Sequence, residues 1–380
     1  MNDTSRPIRA LIDLSNLRSN ISFLKSLIPE GCRFMAVVKA NAYGHGDIQV
    51  SKASLEAGAD CLGVAIMAEA RRLREAGFDC PIHLLFEPSL ESAPEAVALD
   101  LTCSVYTSDF ARFLSEAASE SEKKVKVHVK IDTGMHRVGI DPEDLESFFK
   151  RVSGLQGLEI EGIYTHFACA DDPTSGFTEK QMEIFEQAAA RAEEILGRTL
   201  IKHAANSAGI LAHRRSHYDM VRAGIAIYGL SPSSLIDTKG SLKPVLSVEG
   251  EVVFSKLIRK GEGVSYGLKY IAPSDTNVAV IPVGYGDGFS RILSDKAHVL
   301  LGGKRRRVIG NICMDLSMVE TGSDRIQEGT KFILVGRQGE DEITVDELAS
   351  LLGTINYEVL CMLDGRIQRV YQESAEGGER

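Results

Sequence analysis

The stretch Arg33-Phe34-Met35-Ala36-Val37-Val38-Lys39, followed by Ala40-Asn41-Ala42-Tyr43-Gly44-His45-Gly46, decides the fold. An almost wholly apolar run of strand length reads as a parallel strand covered on both faces. A lysine closing such a run stands where the strand leaves the core. An amine there is partly desolvated, which lowers its pKa and frees it to form a Schiff base with an aldehyde or ketone. Taken alone, Lys39 could equally be a side chain snorkelling from a strand end into water.

Working outward, seven more strand-like runs follow: Cys61 to Ile66, Pro81 to Phe86, Leu101 to Tyr106, Val125 to Ile131, Leu158 to Thr165, Leu200 to Ala205 and Met220 to Tyr228. Amphipathic stretches lie between them, including Gly46 to Glu56, Ala68 to Glu75, Glu143 to Arg151 and Thr178 to Leu196. Eight βα units predict an α/β fold, a closed (β/α)8 TIM-like barrel over residues 1–232, whose first residues could pack with the second domain. The hydrophilic 233–243 stretch reads as a linker. From 244 to 380 the pattern changes to short strands with glycine turns, predicting a C-terminal, predominantly β domain with one short helix, Val345 to Leu352. Lys304-Arg305-Arg306-Arg307 after Gly302-Gly303 reads as a hairpin turn entering a strand, and Gln372 to Arg380 as a frayed tail.

Composition sets limits. A chain of 380 residues suits two domains, and 44% hydrophobic with 25% charged residues is ordinary for a globular protein. A net charge of −10 with no long basic run argues against nucleic acid as partner. No apolar segment suggests a membrane partner, and the N-terminus lacks a secretory pattern, which predicts a cytoplasmic protein. The seven cysteines, Cys32, Cys61, Cys80, Cys103, Cys169, Cys313 and Cys361, are scattered without a Cys-x-x-Cys pair and read as reduced. No Cys/His/Asp spacing resembles a zinc site, so no metal is expected.

In such a barrel the active site lies at the C-terminal strand ends. Polar residues gather there: Lys39, Lys130 with Asp132, His166, His203 with Asn206 and Ser207, and Arg222 with Gly224. Any one could be a satisfied core residue, but five strands converging on one mouth are difficult to explain by packing. Ser207, Gly224 and Ile225 follow the seventh and eighth runs, the common phosphate site of these barrels. A phosphorylated ligand fits.

The tract Val38-Lys39-Ala40-Asn41-Ala42-Tyr43-Gly44-His45-Gly46 resembles the pyridoxal-phosphate signature of alanine racemases, fold-type III enzymes, and the resemblance covers about residues 6 to 371. It implies an isomerase interconverting L-alanine and D-alanine with pyridoxal 5'-phosphate, supplying D-alanine for peptidoglycan. Lys39 and Tyr266, in Gly263-Val264-Ser265-Tyr266-Gly267, would be the catalytic pair. Moving a proton from one face of Cα to the other calls for a base on each side. The resemblance gives the cofactor phosphate to Tyr43, Ser207, Gly224, Ile225 and Tyr357, with Asn206 beside them, and the ring to His166. Arg222 would face the pyridine nitrogen. A permanent cation there limits delocalisation into the ring and suits racemisation better than transamination. A chain from Tyr266 through His203 to Arg222 would lower the phenol's pKa.

Arg137 and the Met314 N–H would position the substrate carboxylate, with Asp315 behind them. Lys130 matches a lysine carbamylated in some members, where the new carboxylate orients Arg137. Tyr285 would line the access corridor of the partner subunit's site, since family sites are shared head to tail in a homodimer. Tyr285 and Tyr357 leave little room beyond a methyl side chain. Leu316 departs from the glutamine many members carry. The rival readings are a broader amino-acid or serine racemase, a pyridoxal-phosphate decarboxylase on the same barrel, which would need an acidic partner for the ring nitrogen where Arg222 stands, and a non-catalytic pyridoxal-phosphate-binding protein. The last resembles the barrel alone and would lack a second domain with Tyr266.

Overall fold

The computed structural model describes residues 6–363 and 365–373. Most of the expected frayed tail, residues 374–380, lies outside them. The chain divides into two compact units: Asn16–Ala42 with Asp47–Lys243, and the described residues up to Ser15 with Tyr43–Gly46 and the described residues from Pro244 onward.

The N-terminal strand β1 (Ile8–Asp13) belongs to the second unit. In the first, β2 (Arg33–Val37), β3 (Cys61–Val64), β4 (Ile82–Leu84), β5 (Thr102–Val105), β6 (Val125–Lys130), β7 (Leu158–Tyr164), β8 (Ile201–His203) and β9 (Met220–Ala223) close a parallel barrel in chain order. These are the eight runs read from the sequence. Each strand is shorter than its run because the chain leaves the sheet to build the mouth. The apolar run after β9, for instance, continues as a 3-10 turn over Ile225–Tyr228, and the Tyr228 hydroxyl donates to Val37 O at 2.9 Å. Outside the barrel, helices bury one stripe. In Leu145–Val152 the buried set is Leu145, Phe148, Phe149 and Val152, the i, i+3, i+4, i+7 pattern of a half-buried helix. Thr107 caps Ser108–Glu120 by accepting from Phe110 N, and helix Phe177–Leu196 ends on Gly197 in the left-handed conformation.

The helix expected from Gly46 begins at Asp47. What precedes it is a left-handed turn: Ala40, Asn41 and Ala42 have φ of 51, 52 and 53°. L-residues pay about 1–2 kcal/mol each in this region. The turn is held among others by bonds from Ala42 N to Val38 O at 2.8 Å, from Ala40 N to Glu69 Oε1 at 2.6 Å and from Asp47 N to Asn41 Oδ1 at 3.1 Å.

The second unit adds β10 (Leu246–Glu251), β11 (Phe254–Ile258), β12 (Gly263–Val264), β13 (Tyr270–Ile271), β14 (Thr276–Ile281), β15 (His298–Leu301), β16 (Lys304–Ile309), β17 (Ser317–Gly322), β18 (Lys331–Gln338), β19 (Asp341–Ile343) and β20 (Gln368–Gln372). They form a long sheet in the order β11-β14-β17-β16-β15-β18-β10-β1-β20, with β19 on β18 and a separate β12–β13 hairpin. The apolar stretch from Val245 to Leu257, which by its sequence reads as one strand, forms two, β10 and β11. The basic run Lys304 to Arg307 does enter a strand from a Gly302-Gly303 hairpin turn, both glycines at positive φ. Helix Val345–Leu352 is present, capped by Thr344, and the expectation of one helix is corrected by a second, Asn356–Met362.

Candidate active site

Lys39 opens the left-handed turn directly after β2, in the barrel unit. The turn's strain is of the kind stored at functional sites, since nothing in a connecting loop alone requires it. Tyr43, at its far end, groups with the second unit, where its buried ring lies 6.1 Å from that of Tyr357.

At the C-terminal end of β9, Arg222 is 4% exposed. Its Nη1 donates to His203 Nδ1 at 2.8 Å, and its Nη2 faces Thr165 O at 2.7 Å, Ala204 O at 2.9 Å and His166 Nδ1 at 3.1 Å. Among the described residues no carboxylate comes within ion-pair distance. Asp219, the sequence neighbour that could have paired with it, instead accepts from Lys202 N at 2.8 Å. Burial lowers the Arg222 pKa to about 10, which leaves it a cation at neutral pH. Burial and the charge of Arg222 push both His166 and His203 well below the usual imidazole range, so both rings are neutral.

His203 accepts from Arg222 at Nδ1, and its Nε2 lies 2.7 Å from His128 Nδ1. No nitrogen of His203 is left for a phenol. The expected chain from Tyr266 through His203 to Arg222 is therefore corrected: within the barrel, His166 is the imidazole that touches Arg222 and keeps its Nε2 without a partner among the described residues.

Next to Arg222, the Ser207 hydroxyl accepts from Gly224 N at 2.9 Å and Ala226 N at 3.2 Å, so its own proton points elsewhere. The buried Ile225 N–H, first in its 3-10 turn, has no acceptor among the described residues. An unmet buried donor beside a hydroxyl whose proton is available is a cradle for an anion. Asn206 serves as a helix cap, its Oδ1 accepting from Gly209 N at 2.9 Å.

Lys130 is buried, and among the described residues no carboxylate comes within ion-pair range. Its Nζ lies 5.0 Å from the Phe86 ring centre, and Arg137 faces the same ring at 5.4 Å. Burial, with the charges of Arg137 and Arg222, brings its pKa down to about 7. The loop carrying Arg137 folds around Asp132, whose Oδ1 accepts from Gly134 N and His136 N. A Cβ at Gly139 would lie 2.6 Å from Asp132 N, and φ there is 141°, so only glycine closes this loop.

In the second unit Tyr266 is 71% exposed. It follows Ser265, at φ 64° and ψ −174°, a region almost reserved for glycine. Ser265 Oγ donates to Asn311 O at 2.5 Å, and Asn311 Nδ2 donates to Tyr266 O at 2.5 Å. Tyr285 and Met314 come together on two bonded turns, with Tyr285 N on Cys313 O at 3.0 Å and Gly286 N on Met314 O at 2.9 Å. A Cβ at Gly284 would lie 2.3 Å from Cys313 O. Asp315 pairs with Arg366 at 2.9 Å. Fully buried Asp287 accepts from Arg6 at 2.7 Å and from Gly284 N at 3.0 Å, tying the Tyr285 turn down.

The alanine racemase N-terminal domain family matches residues 12–232 and the alanine racemase C-terminal domain family matches 245–371. The chain belongs to the alanine racemase family. It is 42% identical to the alanine racemase of Desulfovibrio desulfuricans, across 97% of this chain and 99% of that one. Among solved structures, that of alanine racemase from D-cycloserine-producing Streptomyces lavendulae matches with a TM-score of 0.93 at 34% identity, covering 98% and 99% of the two chains. The Bartonella henselae alanine racemase with covalently bound pyridoxal phosphate matches with a TM-score of 0.88 at 28% identity, covering 96% and 99%. Membership makes this chain an amino-acid racemase, an isomerase. Within that family frame, the residues sequence reasoning missed are supports: Glu69 under the left-handed turn, Asn311 and Ser265 under Tyr266, and the interior pair His128 and Glu161. For His128 a signal existed. Val125-Lys126-Val127-His128-Val129-Lys130 alternates strictly, which sets its polar residues on one face of β6.

Proposed function

We propose that the protein interconverts L-alanine and D-alanine by a two-base mechanism on pyridoxal 5'-phosphate, supplying D-alanine for cell-wall peptidoglycan from the cytoplasm. The observation that carries this reading is Arg222, a buried cation with no carboxylate partner among the described residues, at the position given to the pyridine nitrogen. The residues fit the cofactor. The unmet Ile225 N–H, the Ser207 hydroxyl and Gly224 suit its phosphate, to which the family resemblance also gives Tyr43 and Tyr357. Arg222 suits its ring nitrogen, His166 its ring, and the Lys39 amine its aldehyde carbon. When bound, pyridoxal phosphate supplies electron withdrawal that acidifies the substrate Cα–H.

The protein's own groups do the rest. Lys39 takes or returns a proton on one face of Cα and Tyr266 on the other. A guanidinium at Arg222 withholds a proton from the ring nitrogen, which limits reprotonation at the wrong carbon. Arg137 and the Met314 N–H orient the substrate carboxylate. Lys130, its pKa brought down to about 7 so that a large share of the amine is uncharged at neutral pH, is the group that would carry a carbamate to orient Arg137. Tyr285 and Tyr357 restrict the side chain to a methyl group.

Exposed apolar side chains around the Tyr266 and Met314 turns, including Leu268, Ile271 and Leu316, support a homodimer in which each site combines Lys39 of one subunit with Tyr266 of the other. No helix among the described residues is long and apolar enough to cross a membrane. The test is direct. Purified protein with pyridoxal phosphate, given L-alanine, should bring optical rotation to zero, and an unchanged rotation would overturn the reading.

A further inference from the structure

Inside the barrel, a line of side chains runs from Arg222 toward the N-terminal strand ends, and its proton positions follow from one fact. A guanidinium donates and never accepts. His203 Nδ1, 2.8 Å from Arg222 Nη1, must therefore be the acceptor, so neutral His203 carries its proton on Nε2. That proton points to His128 Nδ1 at 2.7 Å, which makes His128 an acceptor at Nδ1 and a donor at Nε2. His128 Nε2 faces Glu161 Oε2 at 3.2 Å. Every donor in the line points the same way, from the Arg222 cation to the Glu161 carboxylate, itself paired with Lys126 at 2.7 Å.

The strands are shaped for this line. The β6–β7 register slips between Val127 and His128, so Val127 faces Ile160 while His128 faces Gly162. The extra residue in β7 is Glu161, and such bulges re-aim side chains. Opposite His128 stands Gly162, where a Cβ would lie 2.5 Å from the imidazole Nδ1. His203 is fixed on its other side by a parallel stack on Tyr164, with centroids 4.6 Å apart. Glu161 reaches a cavity of about 360 Å³ that Arg33, Asp60 and His83 also line, so the line ends where water can solvate the carboxylate.

We propose that Glu161 and His128 are positioning residues for racemisation, holding His203 in its Nε2–H form so that Arg222 keeps one fixed orientation and its charge is answered from the opposite end of the barrel. Protonating His203 on Nδ1 would set two donors against each other at 2.8 Å, so the line keeps Arg222 as the cation. Hydrogen bonds polarised in series, ending on an anion, strengthen the acceptor that Arg222 uses. This rests on reading Arg222 as the ring-nitrogen partner, and the first readout below is independent of that reading.

The test uses the full-length holoenzyme with ¹⁵N-labelled histidine. Native His128 and His203 should both show an unprotonated Nδ1 and a protonated Nε2; a protonated Nδ1 on either would overturn the proposal, whatever the activity. Glu161→Gln keeps shape and removes charge, whereas Gly162→Ala keeps Glu161 and displaces the His128 ring. Each should move the His203 Nδ1 resonance and the cofactor's visible band, and lower kcat about tenfold, the scale of one charge-assisted hydrogen bond, with KM for alanine unchanged. Because both changes break one line, the double variant should be no slower than the worse single variant. Multiplying effects, or a kcat within twofold of native in both single variants, would overturn the role. Absence of racemisation in the native enzyme would instead refute the functional reading alone.

Discussion

Arg222 Nη1 donates to His203 Nδ1 at 2.8 Å, and no carboxylate among the described residues answers the charge directly. A cation buried this way is costly unless its environment is fixed in advance, and the carbonyls of Thr165 and Ala204 with two imidazoles supply that environment. Arg222→Glu reverses the charge at the ring nitrogen and favours its protonation. Racemisation should fall by about a hundredfold or more, as when a preorganised electrostatic group is lost, and pyruvate should appear as a transamination product. High-performance chromatography of an L-alanine reaction checks both. Loss of racemisation without pyruvate would mean Arg222 serves only to hold structure.

Stability should depend on pH at both ends of the range. His83, His128 and His203 are buried and His166 is half-buried, all with lowered pKa values, desolvation being the main cause. Above pH about 6.5 they are neutral both folded and unfolded. Below it the unfolded chain binds protons that the folded chain refuses, so stability falls as the pH drops. Lys130 acts on the alkaline side. Between its folded value of about 7 and its ordinary value of 10.5, the unfolded chain holds the extra proton and stability rises with pH. Urea unfolding of the protein in carbonate-free buffer should show both slopes, and Lys130→Met should flatten the alkaline one alone.

The strain at Ser265 separates geometry from chemistry. At φ 64° and ψ −174° a serine costs about 1–3 kcal/mol, offset here by its bond to Asn311 O. Ser265→Gly relieves the strain and loses one hydrogen bond, so stability should change by less than about 1 kcal/mol and activity should persist. Asn311→Ala frees the Tyr266 carbonyl and should lower kcat about tenfold or more. Thermal unfolding and steady-state kinetics on the two variants test the pair, and an inactive Ser265→Gly enzyme would refute it.

The barrel was legible because each of its strands carries its own apolar signal, as Arg33 to Lys39 does, and because helices such as Leu145–Val152 write their buried stripe into the sequence. The left-handed turn was not. Alanine at 40 and 42 has no preference for φ near 52°, and the compensating bond comes from Glu69, 29 residues away. The direction of His203 was hidden for a similar reason. Its partner His128 sits at a register slip between β6 and β7 that sets Gly162 beside it, and such a slip leaves no mark that periodicity can read. The break between β10 and β11 also went unseen, since Val252 and Val253 continue the apolar character across it.

The last prediction joins sequence, assembly and catalysis. Lys39→Ala should abolish the visible absorbance of bound cofactor and stop turnover in both directions, and a borohydride-reducible link persisting in this variant would move the attachment to another lysine. Tyr266→Phe keeps the ring and removes the ionisable proton, so cofactor should still bind while turnover falls about a hundredfold or more. If each site takes Lys39 from one subunit and Tyr266 from its partner, both homodimers carry two damaged sites. A heterodimer of the two variants then collects both lesions in one site and leaves the other with native Lys39 and native Tyr266. Twofold symmetry requires about half the native activity per heterodimer to return. Were Lys39 and Tyr266 of one chain to work together, every site in the mixture would retain a lesion. Subunit exchange followed by mass spectrometry, with the racemisation rate measured on the same sample, distinguishes the two. Verified heterodimers without recovered activity would refute the shared site while leaving the membership of the family untouched.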